Sequence, residues 1–232
     1  MQQVKTKQKQ TMAEKLNTLR AGVLGSNDGI LTVVGVLFSV AIATTNQFTI
    51  FVAGLSDLLA CAFSMASGEY ASVSSQRDAE SAAVRAEEHL LKVDLAGEIT
   101  AVQKYYVDRG ITPATARAIA KELIQKKPLE TMVNVKNDIQ LGHYMNPWNA
   151  AFSSLFSAAL GGILPLAAMT LLPTNIEWPG TICAVIISVA ITGFLSAKLG
   201  NGLVKTAIIR NIIIGILTMI IHYTVGKLMN QF

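Results

Sequence analysis

Charge is scarce in this sequence. Only 15% of its 232 residues are Asp, Glu, Lys or Arg, whereas soluble domains carry about a quarter. Long stretches are almost free of charge, and several reach the roughly 20 apolar residues that cross a bilayer. These features exclude an ordinary soluble domain and predict an integral membrane protein in contact with the lipid bilayer.

Several functional signatures are also missing. Aromatic residues make up 6% of the chain, and no basic patch contains interleaved aromatics, so we expect no nucleic-acid partner. The motifs HExxH and GxSxG are absent, which argues against an enzyme, and we expect no permanently bound cofactor. Cys61 and Cys183 lie in apolar runs without metal-ligand spacing, which predicts reduced thiols, with a further role for Cys61 left open. The first apolar run is too long for a signal peptide, so we expect no cleavable one.

Five apolar segments are present. They predict an all-α membrane protein with five transmembrane helices and a cytoplasmic helical insert between the second and third. The segments cover residues 22–44, 50–68, 148–172, 180–197 and 206–226. The expected organisation is a cytoplasmic tail, two spans, the insert and three spans, in residues 1–20, 21–75, 76–146 and 147–232. In the third span, Gly161, Gly162 and Pro165 predict a kink and a close helix contact, at a dimer interface or a hinge.

The polar insert has the composition of helices. Its first part is rich in Ala, Glu, Arg and Leu, which have high helix propensity. Gly110 marks the end of a second helix, and Thr112 with Pro113 the start of a third. A last short helix is expected to stop at Gly142. These signals predict a small helical domain continuous with the second span, and a solvated connector without a ligand role is the alternative.

Lysine and arginine are unevenly distributed between the connections. Outside the insert, most lie before the first span, in the fourth connection, or just inside the fifth span: Lys5, Lys7, Lys9, Lys15, Arg20, Lys198, Lys205 and Arg210. The turns "TTNQ" and "PTNIEWP" have none. Because positive charge favours the cytoplasmic side, we expect the N-terminus and the insert in the cytoplasm and the C-terminus on the opposite side.

Carboxylates lie inside the first two spans. An ionisable group at this depth is costly and therefore indicates function. Asp28 lies in the first span, and the second contains a stripe at a spacing of four, which places its members on one side of a helix: Asp57, Cys61, Met65 and Glu69. On the first span a stripe of polar or small residues has similar spacing: Asp28, Thr32, Gly35 and Ser39. The two short-looped helices are antiparallel, so we expect these stripes to meet. Asp28 as an interfacial N-cap, Glu69 as an interfacial residue and Met65 as ordinary packing are the alternatives, and His222 is expected to be packed.

Carboxylate oxygens with one thioether suit a divalent ion of intermediate softness, such as Fe(II) or Mn(II). Carboxylates that lose a metal can take up protons. The same groups can therefore couple ion movement to proton movement in the opposite direction.

At these residues the sequence resembles the vacuolar iron transporter family. The resemblance lies in "RAGVLGSNDGILTVVGV", in "GLSDLLACAFSMASGEYASVSSQRDAE" with its SMxxGEYxSVxSQxDxE pattern, and in "NPWNAAFSSLFSAALGGILPL". It covers most of the chain and implies a five-span homodimer that exports Fe(II) and related ions from the cytosol in exchange for protons. It also implies a path lined by Asp28, Met65 and Asp57, where the family has Glu at the last position.

The insert departs from the family pattern. The resemblance implies a metal-binding domain with a twofold Glu-x-x-Glu pattern and a further Glu before "LG". Glu87 and Glu98 remain, but the other positions hold neutral residues: Leu90, Ala101 and Gln140. Compensating ligands would come from Glu80, Glu88, His89 and Asp138. We therefore expect the insert to fold as in the family and to bind metal weakly or not at all.

The sequence thus predicts a proton-coupled transporter of Fe(II) and also Mn(II). A family relative with changed metal handling, which carries another cation or acts in interaction or regulation, is the alternative. We expect a bacterial inner membrane, or a vacuolar membrane in a eukaryote. The preferred ion and the coupling stoichiometry are left open.

Overall fold

The computed structural model describes residues 12–229, and every regular element within that range is an α-helix. The helices are α1 (Met12–Ala43), α2 (Gln47–Val93), α3 (Leu95–Val107), α4 (Pro113–Lys126), α5 (Pro128–Asn137), α6 (Pro147–Leu171), α7 (Glu177–Leu199) and α8 (Val204–Met229). The all-α fold predicted from the sequence is therefore confirmed.

Five of these helices are long and apolar enough to cross a membrane: α1, α2, α6, α7 and α8. They follow the five predicted segments in order. Two of them extend beyond the predicted apolar segments. Helix α1 begins at Met12, inside the segment assigned to the N-terminal tail, and the rest of that tail, residues 1–11, lies outside the described residues. Helix α2 continues to Val93, because the polar stretch after the span is rich in helix-forming residues.

The chain divides into two compact units. One comprises residues 73–145, which hold the end of α2 and helices α3 to α5. The other comprises residues 12–72 and 146–229, which hold α1, the first half of α2, and α6 to α8. The second is called the membrane unit below and the first the insert unit.

Helix α1 supplies the centre of the membrane unit. Four of its apolar side chains, Ile30, Val33, Val34 and Leu37, are fully buried. The other helices of the unit contribute to the same cluster with Ile50, Leu58, Leu166, Met169, Val185, Val189 and Met219. Many large apolar side chains on the outer surface of the unit are exposed, as expected of helices that face lipid.

Glycines let α1 and α6 approach closely. A Cβ atom at Gly25 would collide with Ser154, and one at Gly29 would collide with the backbone of Ala158. Gly161 of α6 lies in the same way against the backbone of Ser26. Small residues at such crossings allow backbone contact between membrane helices. The close contact predicted for the third span is thus made inside one chain, against α1.

The insert unit is built around a small apolar cluster from α3, α4 and α5: Val102, Ala120, Ile124 and Met132. Helix α3 is capped by Asp94, whose side chain accepts a hydrogen bond from the Gly97 amide at 2.9 Å. Helix α4 begins at Pro113, as predicted. The predicted end at Gly142 was wrong. Helix α5 ends at Asn137, because Asp138 adopts a left-handed conformation (φ 54°) that stops the helix.

Candidate metal-transport site

Helices α1 and α2 bring Asp28, Asp57 and Cys61 to one face of the membrane unit. Thr32, one turn beyond Asp28, lies beside both Asp57 and Cys61. Its hydroxyl donates a hydrogen bond to the backbone carbonyl oxygen of Asp28 at 2.9 Å. Cys61 also lies near both carboxylates. Asp28 and Thr32 of α1 therefore meet the stripe of α2 around this thiol, whereas Gly35 and Ser39 of the same predicted stripe lie against His222 and Gly226 of α8.

The facing residues follow one antiparallel register. The pairs along α1 and α2 are Arg20 with Glu69, Asp28 with Cys61, and Thr32 with Asp57. Successive members are four or eight residues apart on each helix. This spacing returns a side chain to nearly the same face, so one register holds over several turns.

Asp57 lies deep in its helix. It is ten residues after the first residue of α2, which is about 15 Å along the axis and about half the thickness of a hydrocarbon core. Its Oδ2 atom is buried and has no hydrogen-bond partner among the described residues. An unpaired charged group in such a position is costly unless another charge or a proton neutralises it.

The polar face is open on the side away from the core of the membrane unit. Asp28, Asp57, Cys61 and Met65 are only partly buried, and Thr32 is exposed. Within the described part of the chain, no three His, Cys, Asp or Glu side chains converge as a metal site. Residues 12–229 of a single chain therefore present two carboxylates, a thiol and a thioether along a stripe, and these residues do not enclose an ion by themselves.

Glu69 has a partner within the chain. Its carboxylate is buried, with 7% of the side chain exposed, and accepts a hydrogen bond from Arg20 Nη2 at 3.2 Å. No lysine or arginine among residues 12–229 forms an ion pair with Asp28 or Asp57. The carboxylates of the stripe thus differ, because Glu69 is balanced by a cation and the two deeper groups are not.

The insert carboxylates also have partners. Glu80 accepts a hydrogen bond from Gln76 at 2.9 Å. Glu87 and Glu98 are both buried, and both are bound by the Lys136 ammonium at 3.1 Å and 2.8 Å. Burial opposes the charged form of the lysine, but its hydrogen bonds to Glu98 and Glu87 outweigh that effect and raise the pKa of Lys136.

The three positions where the resemblance implies further carboxylates hold neutral side chains, so they add no charge to the cluster of Glu87, Glu98 and Lys136. Ala101 packs against the apolar cluster of the insert unit, and Leu90 is partly buried. Gln140 is exposed in the segment after α5. Of the residues considered as compensation, Glu88 pairs with Lys92 at 3.0 Å. His89 and Asp138 are exposed.

Sequence reasoning missed three partners of buried carboxylates. Arg20 was interpreted only as a charge of the N-terminal tail, and no role was predicted for Lys136. The third is Gln47, whose Nε2 donates to Glu177 Oε2 at 2.6 Å in the first turn of α7. No local signal identifies such pairs, because the partners are separated by 38 to 130 residues. The expectation for His222 agrees with its position, since its ring packs against Gly35.

The fold and the stripe define a class: a multi-pass α-helical membrane protein with carboxylates at bilayer depth, an arrangement typical of ion pathways. The particular family follows from comparison with known proteins. The chain belongs to the VIT family, whose model matches residues 19–227.

Named relatives agree with this assignment. A vacuolar iron transporter of Acanthamoeba castellanii is 33% identical over 211 residues, which are 90% of this chain and 78% of that protein. Vacuolar iron transporter homolog 2 of Oryza sativa subsp. japonica is 30% identical and covers 90% of this chain and 89% of its own. Vacuolar iron transporter homolog 3 of Arabidopsis thaliana is 27% identical over 94% of this chain and 86% of that protein. These names support metal-ion transport as the activity of the family.

Proposed function

We propose that this protein transports Fe(II), and also Mn(II), out of the cytosol in exchange for protons, and that it is not an enzyme. One observation carries the proposal. Asp28 and Asp57 lie within two membrane-spanning helices around Cys61, and Asp57 Oδ2 is buried without a hydrogen-bond partner among the described residues. A passing divalent ion or a proton supplies the missing charge. The family and the names of its relatives support a metal as the cargo.

The ligands of the path would be Asp28, Asp57 and Met65, with Glu69 at its mouth. Carboxylate oxygens bind the divalent ion, and the thioether favours Fe(II) or Mn(II) over harder ions. When the ion leaves, the carboxylates take up protons, because two uncompensated charges at this depth are costly. The protons then move into the cytosol as the metal ion moves out, which makes the transport an exchange.

Charge distribution supports the proposed orientation in the membrane. Lys198, Lys205 and Arg210 lie at the ends of α7 and α8 that share a side with the start of α1. The connections after α1 and α6 contain no lysine or arginine. By the positive-inside rule this side is cytoplasmic, so the N-terminus and the insert face the cytosol. The membrane would be the bacterial inner membrane, or the vacuolar membrane in a eukaryote.

A homodimer would complete the path. The polar stripe is open along one side of the single chain, with Thr32 exposed and Asp28 partly buried. Lipid on that side would leave the carboxylates without a polar environment. A second copy related by a twofold axis presents the same stripe, so two stripes facing each other would enclose an ion between four carboxylates.

Reconstitution into liposomes tests the transport proposal. Wild-type protein should move Fe(II) or Mn(II) into vesicles with an acidic lumen and should alkalinise that lumen. The variant Asp28→Asn should lose roughly tenfold or more of this flux, since it removes a ligand and a proton acceptor. The matched control Asp108→Asn changes an exposed aspartate at the end of α3 and should transport like wild type.

The family relative with changed metal handling is the second candidate. The Lys136 bridge favours it, because an ammonium lies where the resemblance implies metal. Such a protein would carry another cation, or act in interaction or regulation. Absence of Fe(II) and Mn(II) flux in wild-type vesicles that contain folded protein would select this candidate and reject the first.

A further inference from the structure

Three helices of the insert unit direct charged side chains to one point. Glu87 lies on α2, Glu98 on α3 and Lys136 in the last turn of α5. The lysine Nζ is 3.1 Å from Glu87 Oε2, 2.8 Å from Glu98 Oε1 and 2.7 Å from Glu98 Oε2. One ammonium group therefore lies across the Glu98 carboxylate and reaches the Glu87 carboxylate as well.

The burial of the three side chains is unequal. Only 8% of the Glu87 side chain and 6% of the Glu98 side chain are exposed, against 28% for Lys136. Two carboxylates removed from water need a cation beside them. The aliphatic part of the lysine enters from the surface and places its charge between them, so the cluster already contains its own counter-ion.

We infer that Lys136 is the resident cation of this carboxylate pair and that its ammonium excludes divalent metal ions from the insert unit. The position between Glu87 and Glu98 is the one that an ion bound by both would need. The resemblance implies metal here, but the residues do not fit it. The side chains at three further ligand positions are neutral, and the two remaining carboxylates are bound by a tethered cation.

Displacement of this cation by a metal is unfavourable for two reasons. The ammonium donates hydrogen bonds to both buried carboxylates, at 3.1 Å to Glu87 and 2.8 Å to Glu98, and these would be lost on displacement. It is also covalently attached, which gives it a high effective concentration at the two carboxylates. A metal would have to compete with that concentration and would find only two carboxylate ligands.

Hydrogen exchange of the full-length protein in detergent tests the inference, with readout confined to peptides from residues 73–145. Lys136→Met keeps a side chain of similar length without the charge and leaves two buried carboxylates unpaired. We expect amide exchange in α3 and α5 to become at least about tenfold faster without metal. Lys126→Met is the matched control, since it breaks an exposed pair with Glu122 within α4, and it should exchange like wild type.

Addition of Mn(II) completes the test. Wild-type exchange in these peptides should not change, whereas exchange in Lys136→Met should slow towards the wild-type rate, because the metal then neutralises the vacated pair. Protection of the wild-type insert by Mn(II) would overturn the inference. So would a Lys136→Met protein that exchanges like the control, or one that Mn(II) does not protect, because the lysine would then not be what keeps the metal out.

A further variant keeps the test decisive if Lys136→Met fails to fold. Glu87→Gln/Glu98→Gln/Lys136→Met removes all three charges together, and loss of both partners of an ion pair is far less harmful than loss of one. It should fold and show no response to Mn(II). Failure of this neutral variant to fold would mean that more than charge balance depends on these residues, which also contradicts the inference. None of these results depends on metal flux through the membrane unit.

Discussion

Arg20 of α1 donates a hydrogen bond at 3.2 Å to the buried carboxylate of Glu69 on α2. This pair lies at the end of the polar stripe that continues to Asp28 and Asp57. The stripe therefore has two electrostatic zones. At one end the Glu69 carboxylate is balanced by a protein cation, whereas no lysine or arginine among residues 12–229 forms an ion pair with Asp28 or Asp57.

Loss of Arg20 should destabilise the membrane unit. Arg20→Gln leaves Glu69 buried without its partner, and we expect a loss of about 1 kcal/mol in the free energy of unfolding, because the arginine itself is largely exposed. Arg77→Gln, an exposed arginine on α2, is the control and should be neutral. Thermal unfolding in detergent measures both. In the double variant Arg20→Gln/Glu69→Gln most of the loss should be recovered, and equal stability of the two arginine variants would contradict the pairing.

Charge at position 57 should matter more than side-chain length. Asp57→Glu keeps the carboxylate and adds one methylene, whereas Asp57→Asn removes the charge and the proton acceptor. We expect Asp57→Glu to retain metal flux in proteoliposomes and Asp57→Asn to lose roughly tenfold or more. Equal activity of the two variants would show that this carboxylate is not a ligand of the path.

A bound ion should protect Cys61 from alkylation. The thiol lies near both Asp28 and Asp57, so an ion held by them would block its approach to reagent. In a Cys183→Ser background, Mn(II) should slow labelling of Cys61 by a membrane-permeant maleimide. The same protein with Asp28→Asn should lose this protection. If Mn(II) changes the rate of Cys61 labelling in neither protein, the ion is bound elsewhere.

The contact between α1 and α6 should not tolerate a methyl group. Gly29→Ala places a Cβ against the backbone of Ala158, which cannot move aside, and should cost about 1–3 kcal/mol of stability. Gly68→Ala is the matched control, because a Cβ there meets no atom of residues 12–229 within 4 Å. It should be neutral or stabilising by up to about 1 kcal/mol through helix propensity. A higher thermal unfolding temperature for Gly29→Ala than for Gly68→Ala would contradict the close helix contact.

The ends of helices show where local signals suffice. Pro113 was predicted to begin a helix and does so, because its fixed φ and missing amide hydrogen act within one turn. Gly142 was predicted to end one, but Asp138 ends it first by adopting a left-handed backbone. A glycine is the commoner residue at such a position, and an aspartate there gives no strong signal in the sequence.

The sequence by itself determined the five membrane-spanning helices and the depth of Asp28 and Asp57, because the bilayer imposes a minimum apolar length on each span and each helix sets its own periodicity. The tertiary structure decided which charges are balanced. Arg20 binds Glu69 and Lys136 binds Glu87 across 49 residues in each case. Such pairs depend on the register and approach of separate helices, and no periodicity within one helix specifies them.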